Sequence, residues 1–198
     1  LEEVGYEVVS DSVFSKISDT CTPQGVLCVL KQFHYNIEEM LRDKAPLFLL
    51  LENIQDPGNL GTMLRTGEGA GVSGIIMSRD TVDLYNPKVI RSTMGSIYRV
   101  PFYYADDFAA AVHQVQQAGV SVYAAHLRGK NSYACQDYTK GTAFLIGNEG
   151  NGLREETAEL ADCYIRIPME GKVESLNAAV ASSILMYEAH RQRAMIEK

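Results

Sequence analysis

The residues best suited to chemistry lie in three polar, glycine-containing stretches. The first spans residues 53–65 (NIQDPGNLGTMLR), and the second is GNEGNGLR at 147–154. The third follows a proline at 168 and leads through SLN at 175–177 into a long apolar segment. A guanidinium suits a phosphate or a developing oxyanion, a carboxylate suits a cation or an amine, and glycine lets backbone approach a ligand closely. These residue types predict a site that binds and positions a polar ligand.

The same stretches do not match the common nucleotide or metal motifs. The loop at 147–152 is not the dinucleotide fingerprint, which needs GxGxxG in the first strand–helix turn, and no Gly-Lys-Ser/Thr follows to make a P-loop. No Ser/His/Asp arrangement can be argued from the sequence. We expect no metal site, because the histidines lack ligand spacing. They are His34, His113, His126 and His190.

Each of these features also has a plain structural alternative. Arg65 could be a solvated surface arginine on a helix whose other face is apolar. Asn53 and Asn59 could be turn and cap residues, which is a common role for asparagine. The glycine-rich loop at 147–152 could be a flexible, hairpin-like connection. The residues alone leave these alternatives open.

The elements that must position these stretches are strands alternating with helices. The run LFLLLE at 47–52 is continuously apolar, which is typical of a central parallel strand buried on both faces. The alternation predicts an α/β fold with a mostly parallel sheet and helices on both faces. Ligands bind beyond the carboxyl ends of such strands, where all three polar stretches begin. Strands are predicted at 47–52, 74–78, 120–125, 143–147 and 164–167, and helices after Asp56, Asn86 and Asp106 or Asp107, at 155–161, and from 176 to about 195.

The first 46 residues have a different pattern. Val8 and Val9 resemble a strand end, Ser10 or Asp11 could cap a short helix, and a short buried strand is predicted at 26–30. Residues 1–34 are interpreted as the C-terminal remnant of a small N-terminal α/β domain. Residues 35–46 are interpreted as a polar linker, and 47–198 as the main domain.

Composition limits the class of protein. The chain has 198 residues, of which 46% are hydrophobic and 22% charged, as expected of one globular domain plus part of another. A net charge of −7 argues against a surface that attracts nucleic acid everywhere, but it permits a local basic site. The four cysteines form no CxxC pair, which indicates reduced thiols of a cytoplasmic protein. No apolar run approaches the roughly 20 residues of a membrane span, and the missing initiator Met predicts a fragment or trimmed chain.

Taken together, the polar stretches resemble one family, the SpoU-type RNA ribose 2′-O-methyltransferases of the SPOUT superfamily. The resemblance covers residues 47 to about 195 and rests on three motifs in order. A connecting segment, Asn86-Pro87-Lys88…Arg91-x2-Met94-Gly95, is also similar to the family. The motifs are Asn53-x5-Asn59-x-Gly61-x3-Arg65, then Leu145-Ile146-Gly147-Asn148-Glu149-Gly150-x-Gly152, then Ile167-Pro168-Met169-x5-Ser175-Leu176-Asn177-x3-Ala181.

The resemblance implies a fold and a cofactor that the spacing of residues could not supply. The fold is a deep C-terminal trefoil knot, in which the last helix passes through the loop at 147–152. The cofactor is S-adenosylmethionine, bent within the knot. The residues implied to bind it are Gly147, Ile167, Met169, Leu176, Ala125 and Asn148.

The implied reaction is methyl transfer to a ribose hydroxyl, with no metal required. An arginine keeps its proton at neutral pH, so Arg65 is better suited to stabilise an alkoxide or grip a phosphate than to act as a base. Asn59, Glu149, Ser175 and Asn177 are implied to position Arg65, the ribose and the cofactor. The predicted partners are an RNA substrate, ribosomal RNA being favoured over transfer RNA, and a second copy of the chain in a homodimer. The last helix carries more apolar residues than one core face needs, so a partner is expected to cover part of it; these residues are Ile184, Leu185, Tyr187 and Ala189.

Two other functions compete with this interpretation. One is a non-catalytic RNA-binding protein that retains the fold, against which the intact catalytic motif residues argue. The other is an unrelated nucleotide-binding α/β enzyme, against which the missing phosphate-binding motif argues. The N-terminal remnant also resembles the end of the RNA-binding domain that often precedes this family's catalytic domain.

Overall fold

The computed structural model describes residues 5–18 and 20–196, and the chain divides into two compact units, Leu1–Phe33 and His34–Lys198. The described part of the first unit contains one helix, α1 (Asp11–Ile17), which starts after Ser10 as predicted. The strand expected at 26–30 and the strand end at Val8 are wrong, since both segments lack strand structure. Their side chains are largely exposed and no neighbouring strand in the described part of this unit pairs with their backbone.

The second unit is built on a seven-stranded sheet in which every neighbouring pair is parallel. The strand order is β3-β2-β1-β6-β4-β7-β5. This confirms the predicted parallel α/β class, but β3 and β5 were not predicted. The strands are β1 (Leu47–Leu51), β2 (Gly74–Ser78), β3 (Phe102–Ala105), β4 (Ser121–Ala125), β5 (Asn131–Ser132), β6 (Thr142–Ile146) and β7 (Cys163–Arg166).

The centre of the sheet is completed by a late strand. β6 lies between β1 and β4, with Leu47 opposite Thr142 on one side and Ser121 opposite Thr142 on the other. Every residue of β1, β2 and β6 is buried. Apolar side chains that alternate across a strand point to opposite faces, so these strands require cover on both sides.

Helices supply that cover. On one face, α2 and α5 pack with Phe48, Leu50 and Leu145 in a common core. Elsewhere α3 packs against both α4 and α7, and α7 also contacts β6. Residues 37–40, within the predicted linker, form α2, and its Ile37 and Met40 are buried in the second unit's core. The helices of this unit are α2 (Ile37–Met40), α3 (Pro57–Ala70), α4 (Pro87–Thr93), α5 (Phe108–Gln117), α6 (Glu155–Ala158) and α7 (Ala178–Ile196).

The last helix is fixed near both of its ends. Asn177 caps it, because its Oδ1 accepts from the backbone N–H groups of Ala179 at 2.9 Å and Val180 at 3.2 Å. Near the other end, the half-buried Arg193 donates to four backbone carbonyls, and its burial lowers its pKa. The carbonyls belong to Ala45, Pro46, Tyr138 and Lys140, which precede β1 and β6. The helix therefore spans from the carboxyl edge of the sheet to its amino edge.

Candidate functional site

A cavity of about 270 Å³ opens where β4, β6 and β7 end. Its apolar walls include Ile146, Ile165 and Leu185, which come from two strands and the last helix. Parallel strands bring the loops that follow them to one edge, which explains why distant stretches meet here. All six residues predicted to bind the cofactor line this cavity: Ala125, Gly147, Asn148, Ile167, Met169 and Leu176.

The loop after β6 folds tightly against itself at the cavity mouth. Asn148 and Gly152 exchange backbone hydrogen bonds at 3.0 and 2.9 Å. A Cβ on Gly147 would lie 2.2 Å from the carbonyl carbon of Gly152, so only glycine fits at this crossing. The Asn148 side chain accepts from the N–H of Gly150 and donates to the carbonyl of Asn53 at 2.8 Å. The loop is thus a folded structure rather than the flexible hairpin considered above.

Glu149 connects this loop to the start of α3. Its Oε1 accepts from the N–H of Asp56 and from the Asn59 side-chain amide, each at 3.0 Å, and its Oε2 accepts from the N–H of Gln55 at 3.1 Å. Burial by itself raises the pKa of Glu149, but these donors outweigh it and lower the pKa below its ordinary value. The carboxylate is therefore ionised at neutral pH.

The asparagines continue the connection to the last helix. The Asn177 amide donates to Oδ1 of Asn59 at 3.0 Å, while Asn59 donates to Glu149. Three of the predicted catalytic residues thus form one hydrogen-bonded chain that joins α3, the loop after β6 and α7. Asp56, not Asn59, caps α3, since its Oδ1 accepts from the N–H of Asn59 at 2.7 Å. The amide of Asn59 is therefore used for the site, not for the cap.

Arg65 and Ser175 lie outside this chain of hydrogen bonds. Both are exposed, and Arg65 forms no ion pair with any acidic residue in the described part of the chain. Ser175 lines the cavity but takes part in no hydrogen bond with the asparagines or Glu149. The positioning of Arg65 by these residues stays a prediction.

Residues 46–187 match the SpoU rRNA Methylase family. The chain belongs to this family. That span contains all three motifs and ends within α7, so the family resemblance seen in the sequence is confirmed.

Several characterised proteins and solved structures are similar to this SpoU family chain. It is 35% identical over 180 residues to the 23S rRNA (guanosine(2553)-2′-O)-methyltransferase RlmP of Bacillus subtilis, covering 91% of this chain and 70% of that protein. It is 33% identical to the 23S rRNA (guanosine-2′-O-)-methyltransferase RlmB of Ralstonia nicotianae, covering 91% and 74%. A crystal structure of an AdoMet-bound rRNA methyltransferase from Sinorhizobium meliloti superposes with a TM-score of 0.83 at 36% identity, covering 92% of this chain and 70% of that one.

A buried acidic residue that the sequence analysis did not assign to the site holds the end of the polar stretch at 147–154 in this SpoU family chain. Glu52 is 2% exposed and follows β1. It accepts from the N–H of Arg154 at 2.8 Å and from the Thr157 hydroxyl, and the Arg154 guanidinium lies 3.5 Å from its Oε1. Arg154 also pairs with Asp80. The one available signal was a carboxylate directly after five apolar residues.

His126 is a second unassigned residue, and it lines the cavity beside Leu127. Its Nδ1 accepts from the N–H of Arg128 at 3.1 Å, and its ring lies 5.0 Å from that of Tyr164. Burial and the charge of Arg128 lower the pKa of His126, so the imidazole is neutral at neutral pH. No pattern around residue 126 distinguished it in the sequence.

Two features are absent from residues 5–18 and 20–196 of this family member. None of the helices there is long and apolar enough to cross a membrane. Over the same residues, no group of three or more His, Cys, Asp or Glu side chains is arranged to hold a metal ion.

Proposed function

We propose that this chain is an S-adenosylmethionine-dependent methyltransferase acting on a ribose 2′-hydroxyl of ribosomal RNA. One observation carries the proposal: the cavity lined by all six predicted cofactor contacts lies directly beside the Asn59–Glu149–Asn177 chain. The names of RlmP and RlmB favour ribosomal over transfer RNA. Such a protein would act in the cytoplasm.

The cavity has the character that an adenosine-bearing cofactor requires. Its apolar walls are formed by Ile146, Ile165 and Leu185. Its rim is formed by backbone atoms at the point where Gly147 and Gly152 cross. Ligand pockets of this kind combine apolar surface with a few fixed polar groups. The similar AdoMet-bound rRNA methyltransferase from Sinorhizobium meliloti supports the same assignment. When bound, S-adenosylmethionine supplies an activated methyl group on a sulfonium sulfur.

The chain's own residues would bind and orient the two reactants. Glu149 fixes the loop over the cavity, and Asn59 and Asn177 set the distance between that loop and the last helix. Holding reactants in line can contribute several kcal/mol to lowering a barrier. Arg65 is exposed and unpaired in the described part of the chain, so its guanidinium is available to a ribose oxygen or a phosphate.

The trefoil knot belongs to this proposal. β6 enters the sheet between strands made earlier, and α7 then packs back against α3. The loop at 147–152 crosses its own continuation at Gly147. These features support the proposal that α7 passes through the loop at 147–152. The RNA-binding role of residues 1–34 is likewise a proposal, carried by the family resemblance.

A homodimer is also proposed, but fewer exposed apolar residues of α7 support it than the sequence indicated. Ile184, Leu185, Tyr187 and Ala189 were expected to exceed the needs of one core, but Leu185 and Ala189 are fully buried within the chain. Tyr187 and Val180 remain about half exposed on α7, at 50% and 48%. An apolar helix face of this kind would be covered by a second copy.

The decisive experiment compares Arg65→Ala with the wild-type protein in two assays on the same preparations. Calorimetry with a chelator present should show unchanged S-adenosylmethionine affinity, because Arg65 lines neither the cavity nor its rim. Single-turnover methyl transfer to ribosomal RNA from a strain lacking the gene should fall by about 10²–10³, the usual cost of losing a donor to a developing oxyanion. Arg65→Lys should restore little, because lysine cannot reproduce the planar fork.

Arg42→Ala is the matched control, since Arg42 is an exposed arginine that follows α2. It should change neither measurement. Near-normal turnover in Arg65→Ala would show that Arg65 is a surface arginine. Cofactor binding by the wild type without any methyl transfer to RNA would favour the non-catalytic RNA-binding function.

A further inference from the structure

The segment that includes α4 lies outside the hydrogen-bonded site, yet it presents an unusual surface. Val89 and Thr93 are buried, while Lys88 and Arg91 project from the opposite side of the helix and are exposed. Neither Lys88 nor Arg91 pairs with an acidic residue among residues 5–18 and 20–196. On a chain with net charge −7, two adjacent uncompensated cations are a local departure from the average surface.

The end of α4 adds an exposed apolar side chain in a strained conformation. Met94 has φ +50° and Gly95 has φ +88°, so two successive left-handed residues turn the chain sharply. Left-handed backbone is costly for a residue with a long side chain, and such strain concentrates at functional positions. Met94 is nevertheless 69% exposed, so burial in its own core does not offset this cost. The conformation displays the methionine beside Arg91.

This surface is continuous with the helix that carries Arg65. α3 and α4 cross so closely at Gly61 that a Cβ there would lie 1.7 Å from the Ser92 hydroxyl oxygen. Arg65 is one helical turn beyond Gly61 and therefore lies on nearly the same side of α3. Arg99, by contrast, is neutralised by Glu68. The cationic side chains without an acidic partner among the described residues of this region, Arg65, Lys88 and Arg91, are thus those on the helices that cross at Gly61.

We propose that Lys88, Arg91 and Met94 form a docking strip for the strand of substrate RNA that flanks the methylated ribose. The inference rests on the proposed function and extends it away from the cofactor cavity. Lys88 and Arg91 contact phosphates, and Met94 packs against a base or ribose face. The charge of the strip complements a polyanion, and an exposed apolar side chain between cations suits unstacked single-stranded RNA.

The test measures binding of fluorescently labelled polyuridylate as a function of salt, because phosphate contacts are independent of base sequence. The double variant Lys88→Gln/Arg91→Gln should reduce the slope of log affinity against log salt by about 1.4, at about 0.7 per lost contact on a single strand. Met94→Gly should lower affinity with the slope unchanged, since an apolar contact releases no counterions. Calorimetry with S-adenosylmethionine should be unchanged in both variants.

Lys44→Gln/Lys140→Gln is the matched control, because it removes the same charge from exposed lysines that precede β1 and β6 at the opposite edge of the sheet. An unchanged slope in the Lys88/Arg91 variant, or an equal reduction in the control, would overturn the proposal. If light scattering gave the Lys88/Arg91 variant a different mass from the wild type, the proposal would also be overturned, because the strip would then be a contact between copies of the chain. An equal salt slope in the Lys88/Arg91 variant and the wild type would refute the strip, whereas absence of methyl transfer by the wild type would refute the proposed function. The two proposals can therefore fail independently.

Discussion

Replacing Glu52 tests whether the cavity is supported by hydrogen bonds or by charge. Glu52→Ala removes a 2% exposed carboxylate together with its bonds to the Arg154 N–H and the Thr157 hydroxyl. Hydrogen bonds to charged groups contribute about 1.5–3 kcal/mol each, so two of them amount to about 3–6 kcal/mol. The relieved cost of burying the charge reduces the net loss of unfolding free energy to about 2–5 kcal/mol. In a chain of this size, about 2–4 °C of melting temperature corresponds to 1 kcal/mol, which gives a fall of about 10 °C.

Glu52→Gln separates the two contributions because it keeps the shape of the side chain. Its carbonyl oxygen can still accept from the Arg154 N–H, and its amide can donate to the Thr157 hydroxyl oxygen. The attraction to the Arg154 guanidinium at 3.5 Å is lost, but that group is 50% exposed, so this loss is about 0–1 kcal/mol. The two retained hydrogen bonds become neutral and weaker, and the lower cost of burying an uncharged amide offsets that weakening. The expected melting temperature is within about 4 °C of the wild type.

The assay is thermal unfolding of the wild type and both variants, followed by calorimetry with S-adenosylmethionine at a temperature where all are folded. Arg154 lies two residues after the loop at 147–152 that borders the cavity, so Glu52→Ala should also weaken cofactor binding, and Glu52→Gln should largely restore it. If Glu52→Gln destabilises the protein as much as Glu52→Ala, the charge dominates and the hydrogen-bond reasoning is refuted. If neither variant is destabilised, the buried carboxylate does not support the loop.

Three further changes address the helix cap, the carboxylate and the strained turn. Asn177→Ala should cost about 1 kcal/mol of unfolding free energy, because it removes the cap of α7. Asn177→Asp should keep the cap but lower methyl transfer, because its carboxylate cannot donate to Asn59; unfolding and turnover measurements on both variants check this. Glu149→Gln should be less stable than the wild type at neutral pH. The stability from the lowered pKa of Glu149 is fully present above the unfolded value of about 4.3 and is lost as pH falls through the folded pKa, so the difference should vanish in acid; urea unfolding across pH would contradict this if the gap persisted there. Met94→Gly should raise the melting temperature, because glycine adopts a φ of +50° freely; a lower value would show that Met94 packs in the folded chain.

The parts of the fold that the sequence predicted are those encoded by local pattern. The continuous apolar runs at 47–51 and 74–78 are central strands, and Asn86 with Pro87 opens a helix as its residue types indicate. β3 was missed because it begins after a proline and carries half-buried tyrosines, which is not the pattern of a fully buried strand. α2 was missed because one helical turn in a polar segment has no measurable periodicity.

The order of the strands and the contacts of the site could not be predicted from local pattern. Nothing near residue 142 indicates that β6 pairs with β1 rather than lying at an edge, because that choice depends on the whole packed sheet. The six residues predicted to bind the cofactor line one cavity, but the bond between Asn59 and Asn177 joins helices far apart in the chain. Arg154 and Glu52 meet in the same way, through tertiary geometry alone.

The position of β6 has a consequence for how the protein is made. β1, β2 and β3 can pair soon after synthesis, but the other edge of β1 has no permanent partner until residues 142–146 emerge, almost half the chain later. An unpaired apolar edge is a template for aggregation, and pairing between distant segments slows folding. Apart from residues 125–127 at the end of β4, the lining of the cavity comes from β6 and from segments made after it, so a nascent chain cannot recruit the cofactor to assist its own folding. S-adenosylmethionine can stabilise only the fully folded protein. The partly folded chain, in which one edge of β1 is unpaired and prone to aggregate, is not stabilised by the cofactor.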